Sequence, residues 1–136
     1  MDGGFIPVVP ELIKSNGDDY YLHVDLPGND TLNFLLLTQN GCPACDKIAK
    51  TLLRMQQDPD LYFPAIVYYL DISPRGPDDV NHAIAMHGLN VENVPALFIV
   101  NKKKRLIPFP MIGADGTRVP HLVNLTQQDI YQTWCR

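Results

Sequence analysis

The chain has 136 residues, 46% hydrophobic and 19% charged, enough to bury a core of its own without metal or disulfide staples. Eleven basic against fifteen acidic residues give a net charge of −4, which repels a phosphate backbone and argues against nucleic acid as a partner. No run reaches the ~20 apolar residues of a membrane span, and Met1-Asp2-Gly3-Gly4-Phe5 has no basic region ahead of an apolar one, so the reading is a soluble, cytoplasmic protein without membrane association.

In chain order, residues 1–19 read as an N-terminal extension or a first short helix, with a short apolar piece around Leu12 and Ile13 and a turn at Asn16-Gly17-Asp18. Tyr20, Leu22, Val24 and Leu26 alternate with Tyr21, His23 and Asp25, the period of a half-buried strand. Pro27-Gly28-Asn29-Asp30 ends it. Leu32 to Thr38 is nearly continuous in apolar residues, as expected of a central strand covered on both faces. From Pro43 to Gln57 the period changes: Cys45, Ile48, Ala49 and Leu52 fall on one helical face, and Pro43 suits the first turn, where its missing N–H costs nothing.

Asp58-Pro59-Asp60 closes that helix. Ala65 to Asp71 predicts a second buried strand, and Ser73 to Pro77 a loop. Val80, Ala83 and Ile84 mark a second helix that stops near Gly88. Ala96 to Val100 is a third apolar run, with Asn101-Lys102-Lys103-Lys104 as a solvated hairpin turn and Arg105 to Phe109 as the return strand. Gly113 to Gly116 reads as a turn. Thr126 and Asp129 resemble a capping box that opens a last helix burying Ile130 and Trp134. Asn29 and Asn124 head glycosylation-type triplets, which read as loop and cap residues. The whole predicts one α/β domain over 1–136, its core from 20 to 134, with a central mixed β-sheet flanked by helices.

Three cysteines, an odd number, make no structural disulfide framework. Yet Cys42 and Cys45 are three apart, which random placement of three cysteines over this length gives in only about 4% of cases. Cys42 falls just before the helix, where free amide N–H groups and the helix dipole favour a thiolate, while Cys45 continues the apolar stripe. An open, acidified thiol beside a shielded one suits thiol–disulfide exchange: the first attacks a substrate disulfide and the second resolves the mixed disulfide within the same molecule. Lowering a thiol from pKa ~8.5 to ~7 raises its thiolate fraction roughly 16-fold at neutral pH but costs about 5-fold in nucleophilicity, so acidity alone contributes little. The neighbouring thiol and open access contribute more.

Cys42-Pro43-Ala44-Cys45 between an apolar strand and an amphipathic helix, with Val94-Pro95 just ahead of a later strand, resembles the thioredoxin superfamily over about Leu32 to Trp134, and Tyr20 to Leu26 fits the family's first strand. The resemblance implies a thioredoxin-like fold and a protein disulfide oxidoreductase serving electron transport and redox homeostasis. It also implies that Cys42 is the nucleophile, Cys45 the resolving thiol, Pro95 a cis-proline and Val94 a residue that pairs its backbone with substrate, with Gly41, Pro43 and Ala44 completing the substrate surface. The motif departs from the Trp-Cys-Gly-Pro-Cys of thioredoxins proper; its intervening pair is nearer the Cys-Pro-Tyr-Cys of glutaredoxins. Leu36 stands where thioredoxins bury an aspartate that helps deprotonate the resolving thiol.

The expected partners are disulfide-containing protein substrates and a reductase or glutathione as electron donor, with no cofactor beyond the redox-active disulfide, glutathione as a possible co-substrate, no metal and a monomeric state. Alternative readings are a glutathione-dependent glutaredoxin-like enzyme and a redox-inactive peptide-binding module. A half zinc site lacks a second ligand pair, since neither Cys135 nor His23, His82, His87 or His121 supplies one at suitable spacing.

Overall fold

The computed structural model describes residues 5–26, 31–57, 65–73, 79–84, 88, 89, 91, 94–109, 111, 112, 119 and 120. In chain order they form β1 (Ile6–Pro7), a 3-10 turn (Pro10–Leu12), β2 (Ile13–Ser15), β3 (Tyr20–Leu22), β4 (Leu32–Thr38), α1 (Pro43–Gln57), β5 (Ala65–Asp71), α2 (Val80–Ala83), β6 (Ala96–Val100), β7 (Leu106–Pro108), β8 (Met111–Ile112) and β9 (Val119–Pro120). A five-stranded sheet runs in the order β1-β5-β4-β6-β7. The β1/β5 and β5/β4 pairs are parallel, and β4/β6 and β6/β7 are antiparallel. This is the mixed α/β architecture expected, with the topology of a thioredoxin-like fold.

β4 lies at the centre because it has no polar face to offer water: every residue from Leu32 to Thr38 is buried. Its alternate side chains feed two cores. Leu32, Phe34 and Leu36 pack with Ile48 and Leu52 of α1 and with Ala65, Val67, Leu97, Ile99 and Phe109. On the opposite face, Leu35 and Leu37 pack with Tyr68, Leu70, Ala96 and Phe98, closed by Ile13 and Leu22 from the β2/β3 hairpin and by half-buried Ile84 and Leu89. α1 therefore covers one face, and a hairpin with the short α2 region covers the other.

β4, α1, β5 and β6 have the bounds expected from periodicity, and the return strand β7 lies within its expected span. The hairpin turn is solvated as expected, with Lys102 and Lys103 exposed. Asn101 organises it: its Oδ1 accepts the N–H groups of Lys103 and Arg105, both at 2.9 Å, while Lys104 takes φ +69°.

The N-terminal third differs. Residues read as an extension or first helix supply β1, the parallel edge strand beside β5, followed by the 3-10 turn and β2. The strand expected over Tyr20–Leu26 stops at Leu22 and lies outside the main sheet, paired with β2, with an isolated bridge from Tyr21 to Arg105 beside β7. The backbone explains this: the Leu22 N–H goes to Lys104 O, that of His23 to Leu12 O, and that of Val24 back to Leu22 O, so no ladder continues. On α2, Ala83 is exposed and not part of a buried face; the helix is four residues long, and the Leu89 N–H donates to the Ile84 carbonyl at 2.8 Å. The expected turns at 27–30, 58–60, 74–77 and 113–116, the last helix with Thr126, Asp129, Ile130 and Trp134, the triplets at Asn29 and Asn124, and Cys135, His87 and His121 lie outside the described residues, as does the side chain of His82.

Candidate functional site

Three chain segments meet at one end of the central sheet. β4 runs through Thr38 into Gln39-Asn40-Gly41 and Cys42, β5 runs through Asp71 into Ile72 and Ser73, and Val94-Pro95 enters β6. The registers Thr38↔Asp71 and Leu37↔Ala96 place all three at the same edge.

Cys42 is the N-cap of α1. Its carbonyl accepts the Asp46 N–H at 3.2 Å, and its Sγ accepts the Cys45 N–H at 3.1 Å, the bond that a serine or aspartate side chain makes at a capped helix start. Pro43 occupies the next position, where no donor is needed. Cys45, one turn in, is 1% exposed, whereas Cys42 is half-buried. The two are joined as a disulfide with a Cα–Cα separation of 5.2 Å, within the usual span of such bonds. The periodicity that put Cys45 on the apolar stripe is thus the same feature that shields it.

Gly41 takes φ +71° with open space where a Cβ would be; conformation and not crowding calls for glycine there. Pro43 is exposed and Ala44 half-buried. The Val94–Pro95 peptide bond is cis, Pro95 is buried and Val94 half-buried. Leu36 is fully buried in the core with Ile48 and Leu52, so no carboxylate occupies that strand position.

The periodicity gave no sign of the contacts behind Cys42. The Asn40 N–H donates to Ser73 Oγ at 2.8 Å, the Ser73 N–H donates to Asp71 Oδ1 at 2.8 Å, and the Ile72 N–H donates to Thr38 O at 2.8 Å. The signals available were the Asn40-Gly41 turn pair and the Asp-x-Ser order at Asp71 to Ser73, both local turn chemistry.

Among the described residues no group of three or more His, Cys, Asp or Glu is placed to hold a metal ion, and no helix is long and apolar enough to cross a membrane.

A mixed sheet with a bonded Cys-x-x-Cys at the start of its central crossover helix defines the α/β class with a disulfide-bonded cysteine pair at a helix start. The chain belongs to the TraF family: the family model described as "TraF: F plasmid transfer operon protein" matches residues 29–114, more than half the chain and all of the segments that meet at this site. A 58-residue stretch is also 36% identical to a human papillomavirus type ME180 protein titled "Minor capsid protein L2". That match covers 43% of this chain and 12% of the viral protein, so the chain spans only a small part of that relative.

Proposed function

We propose that the chain is a thioredoxin-like thiol–disulfide oxidoreductase that exchanges disulfides with protein substrates through Cys42 and Cys45. The carrying observation is the asymmetry of the bonded pair: Cys42 half-buried at the helix cap, Cys45 buried behind it. In the dithiol state, a Cys42 thiolate attacks one sulfur of a substrate disulfide, forming the mixed disulfide and releasing the other substrate sulfur as a thiolate. Cys45, having lost its proton, attacks Cys42 Sγ and releases the second substrate thiolate. Two electrons pass from the pair to the substrate, and the Cys42–Cys45 bond is left for a reductase or glutathione to reduce. The reverse sequence oxidises a substrate dithiol.

Val94 and Pro95, at the same sheet edge as Cys42, are the proposed docking surface for an extended substrate segment, with Gly41, Pro43 and Ala44 beside it. The family description, a plasmid transfer operon protein, directs the search for substrates to products of such an operon. We place the working protein, as a monomer, in the cytoplasm, where the pair rests as a dithiol; alkylating thiols in intact cells reads that state, and a pair found oxidised would assign the protein to an oxidising compartment.

The test is insulin-type disulfide turnover by the wild type and by Cys42→Ser and Cys45→Ser. The proposal expects both variants to lose turnover and only Cys45→Ser to accumulate a mixed disulfide. Turnover that requires glutathione and survives loss of Cys45 on glutathionylated substrates would assign a glutaredoxin-like reaction instead. A wild type that binds peptide without turnover would assign a binding module.

A further inference from the structure

The structure assigns Ser73 a positioning role: its hydroxyl, by holding the Asn40 N–H, sets how closely Cys42 is presented to Cys45. The inference rests on the oxidoreductase reading for its biological meaning. Its observations are separate from it.

Asn40 and Ser73 are 33 residues apart, yet the Asn40 N–H meets Ser73 Oγ at 2.8 Å, two residues ahead of Cys42. Ser73 is itself fixed. Its N–H donates to Asp71 Oδ1 at 2.8 Å, and the Ile72 N–H extends the pairing of β5 with β4 by bonding Thr38 O at 2.8 Å. A further strut comes from α2, where Asn81 Nδ2 donates to the Asp71 carbonyl at 3.0 Å. The hydroxyl thus transmits the rigidity of two paired strands to a turn whose next residue, Gly41, has φ +71° and whose freedom would otherwise be large. Beyond Gly41 the chain enters α1, which fixes Cys45. Gln39-Asn40-Gly41 is the stretch of backbone between the sheet and Cys42, and Ser73 is its side-chain tether among the described hydrogen bonds.

The consequence falls unequally on the two redox states. In the disulfide state the covalent bond already holds Cys42 against Cys45. In the dithiol state that bond is gone, and the turn, the Asp46 N–H on the Cys42 carbonyl and the Cys45 N–H contact hold it. Removing the hydroxyl therefore loosens the dithiol more than the disulfide and lowers the effective concentration of one thiol at the other. The disulfide becomes easier to reduce.

The measurement is redox equilibrium of the full chain with mixtures of reduced and oxidised glutathione. One glutathione disulfide and the Cys42 and Cys45 thiols give the Cys42–Cys45 disulfide and two glutathione thiols, with two electrons passing to glutathione and the two thiol protons ending on the two glutathione sulfurs. Ser73→Ala is expected to lower this equilibrium constant about fivefold, the order of the net worth of one hydrogen bond from a backbone N–H to a hydroxyl. That is a potential less negative by about 20 mV at 29.6 mV per tenfold for two electrons. Ser73→Thr, which keeps a hydroxyl, is expected to stay within twofold of wild type, and both variants to keep wild-type thermal unfolding midpoints in the reduced state within a few degrees. An unchanged equilibrium constant for Ser73→Ala overturns the assignment, as does an equal shift in Ser73→Ala and Ser73→Thr. Because the readout is equilibrium with glutathione, it stands whether or not the wild type turns over protein disulfides; failure of the insulin assay would remove the enzymatic reading and leave this one to be judged on its own result.

Discussion

Cys42 Sγ accepts the backbone N–H of Cys45 at 3.1 Å while being bonded to the Cys45 sulfur, so one residue is both helix cap and disulfide partner. Capping asks only for an acceptor at the first turn, and thiol exchange asks for an approachable sulfur; the N-cap position supplies both. Exposure then separates the two thiols once the pair is reduced. Iodoacetamide is expected to label Cys42 at least about tenfold faster than Cys45, whose side chain is 1% exposed. Mass spectrometry of peptides from timed quenches measures the ratio, and comparable labelling rates would remove the shielded-partner geometry from the mechanism.

The elements around this site divide by how local their causes are. β4, α1, β5 and β6 were readable to the residue because each carries its own periodicity: seven buried positions in a row from Leu32, and Cys45, Ile48 and Leu52 at helical spacing. β1 carried none. It is two residues long, both exposed, one of them Pro7, and it exists because Ile6 and Pro7 find Tyr68 and Tyr69 some sixty residues away. The span from Tyr20 to Leu26 shows the converse. Its alternation is real, with Leu22 buried, Val24 and Leu26 half-buried and His23 and Asp25 exposed, yet the ladder ends at Leu22 because hydrogen-bond partners, not side-chain pattern, decide where a strand stops. At the site, the cysteines were legible and Ser73 was not, since a hydroxyl that accepts a distant N–H leaves no periodic trace.

Leu36 makes the cost of the apolar central strand measurable. It is fully buried between β5 and β6, in the cluster that includes Ile48 and Leu52 of the helix bearing the cysteines. Leu36→Ala is expected to lower unfolding free energy by about 2–5 kcal/mol, the range for emptying a buried leucine site. Urea unfolding of the reduced and oxidised forms gives the value; a loss under about 1 kcal/mol would mean that the core refills the space.

Tyr68 predicts an alkaline limit to stability. It is buried beneath the β2/β3 hairpin among Leu22, Leu35 and Leu37, and burial, with the negative charge of Asp25 as the lesser cause, raises its phenol above the usual value. The folded state therefore holds this proton more tightly than the unfolded chain. Its stabilisation is complete below the unfolded tyrosine pKa of about 10 and is lost as pH rises through the higher folded value. Unfolding free energy should fall with a steeper slope above about pH 10 in the wild type than in Tyr68→Phe. Denaturant titrations between neutral and strongly alkaline pH compare the two, and parallel alkaline arms would rule Tyr68 out as the source.

Asn101 organises the β6–β7 turn through both its side chain and its carbonyl. Its Oδ1 accepts two N–H groups, from Lys103 and Arg105, and its carbonyl accepts the Lys104 N–H at 2.9 Å. Asn101→Ala keeps the carbonyl and loses both side-chain bonds, with an expected cost of about 1–2 kcal/mol, moderated by water reaching the exposed donors. Asn101→Asp, which retains the acceptor, should cost less than half as much. Thermal unfolding of the two variants orders them, and equal losses would show that the turn depends on the asparagine amide NH2 and not on the acceptor.

Gly88 and Tyr20 join the chain after α2 to the β2/β3 hairpin. A Cβ on Gly88 would stand 2.8 Å from Tyr20 Oη and 3.0 Å from Cζ, closer than carbon tolerates, so the tyrosine ring fills the space a side chain would need. Gly88→Ala must push a half-buried ring that packs against the Leu22 core, and is expected to cost about 1–3 kcal/mol. Because the penalty is steric and local, it belongs to the pair. In a Tyr20→Leu background, where the ring atoms near Gly88 are gone, the same substitution should cost less than about 0.5 kcal/mol, leaving a coupling energy of at least about 0.5 kcal/mol in a double-mutant cycle. Additive losses would mean that the alanine acts on the backbone of residue 88 itself, and that the ring is a bystander.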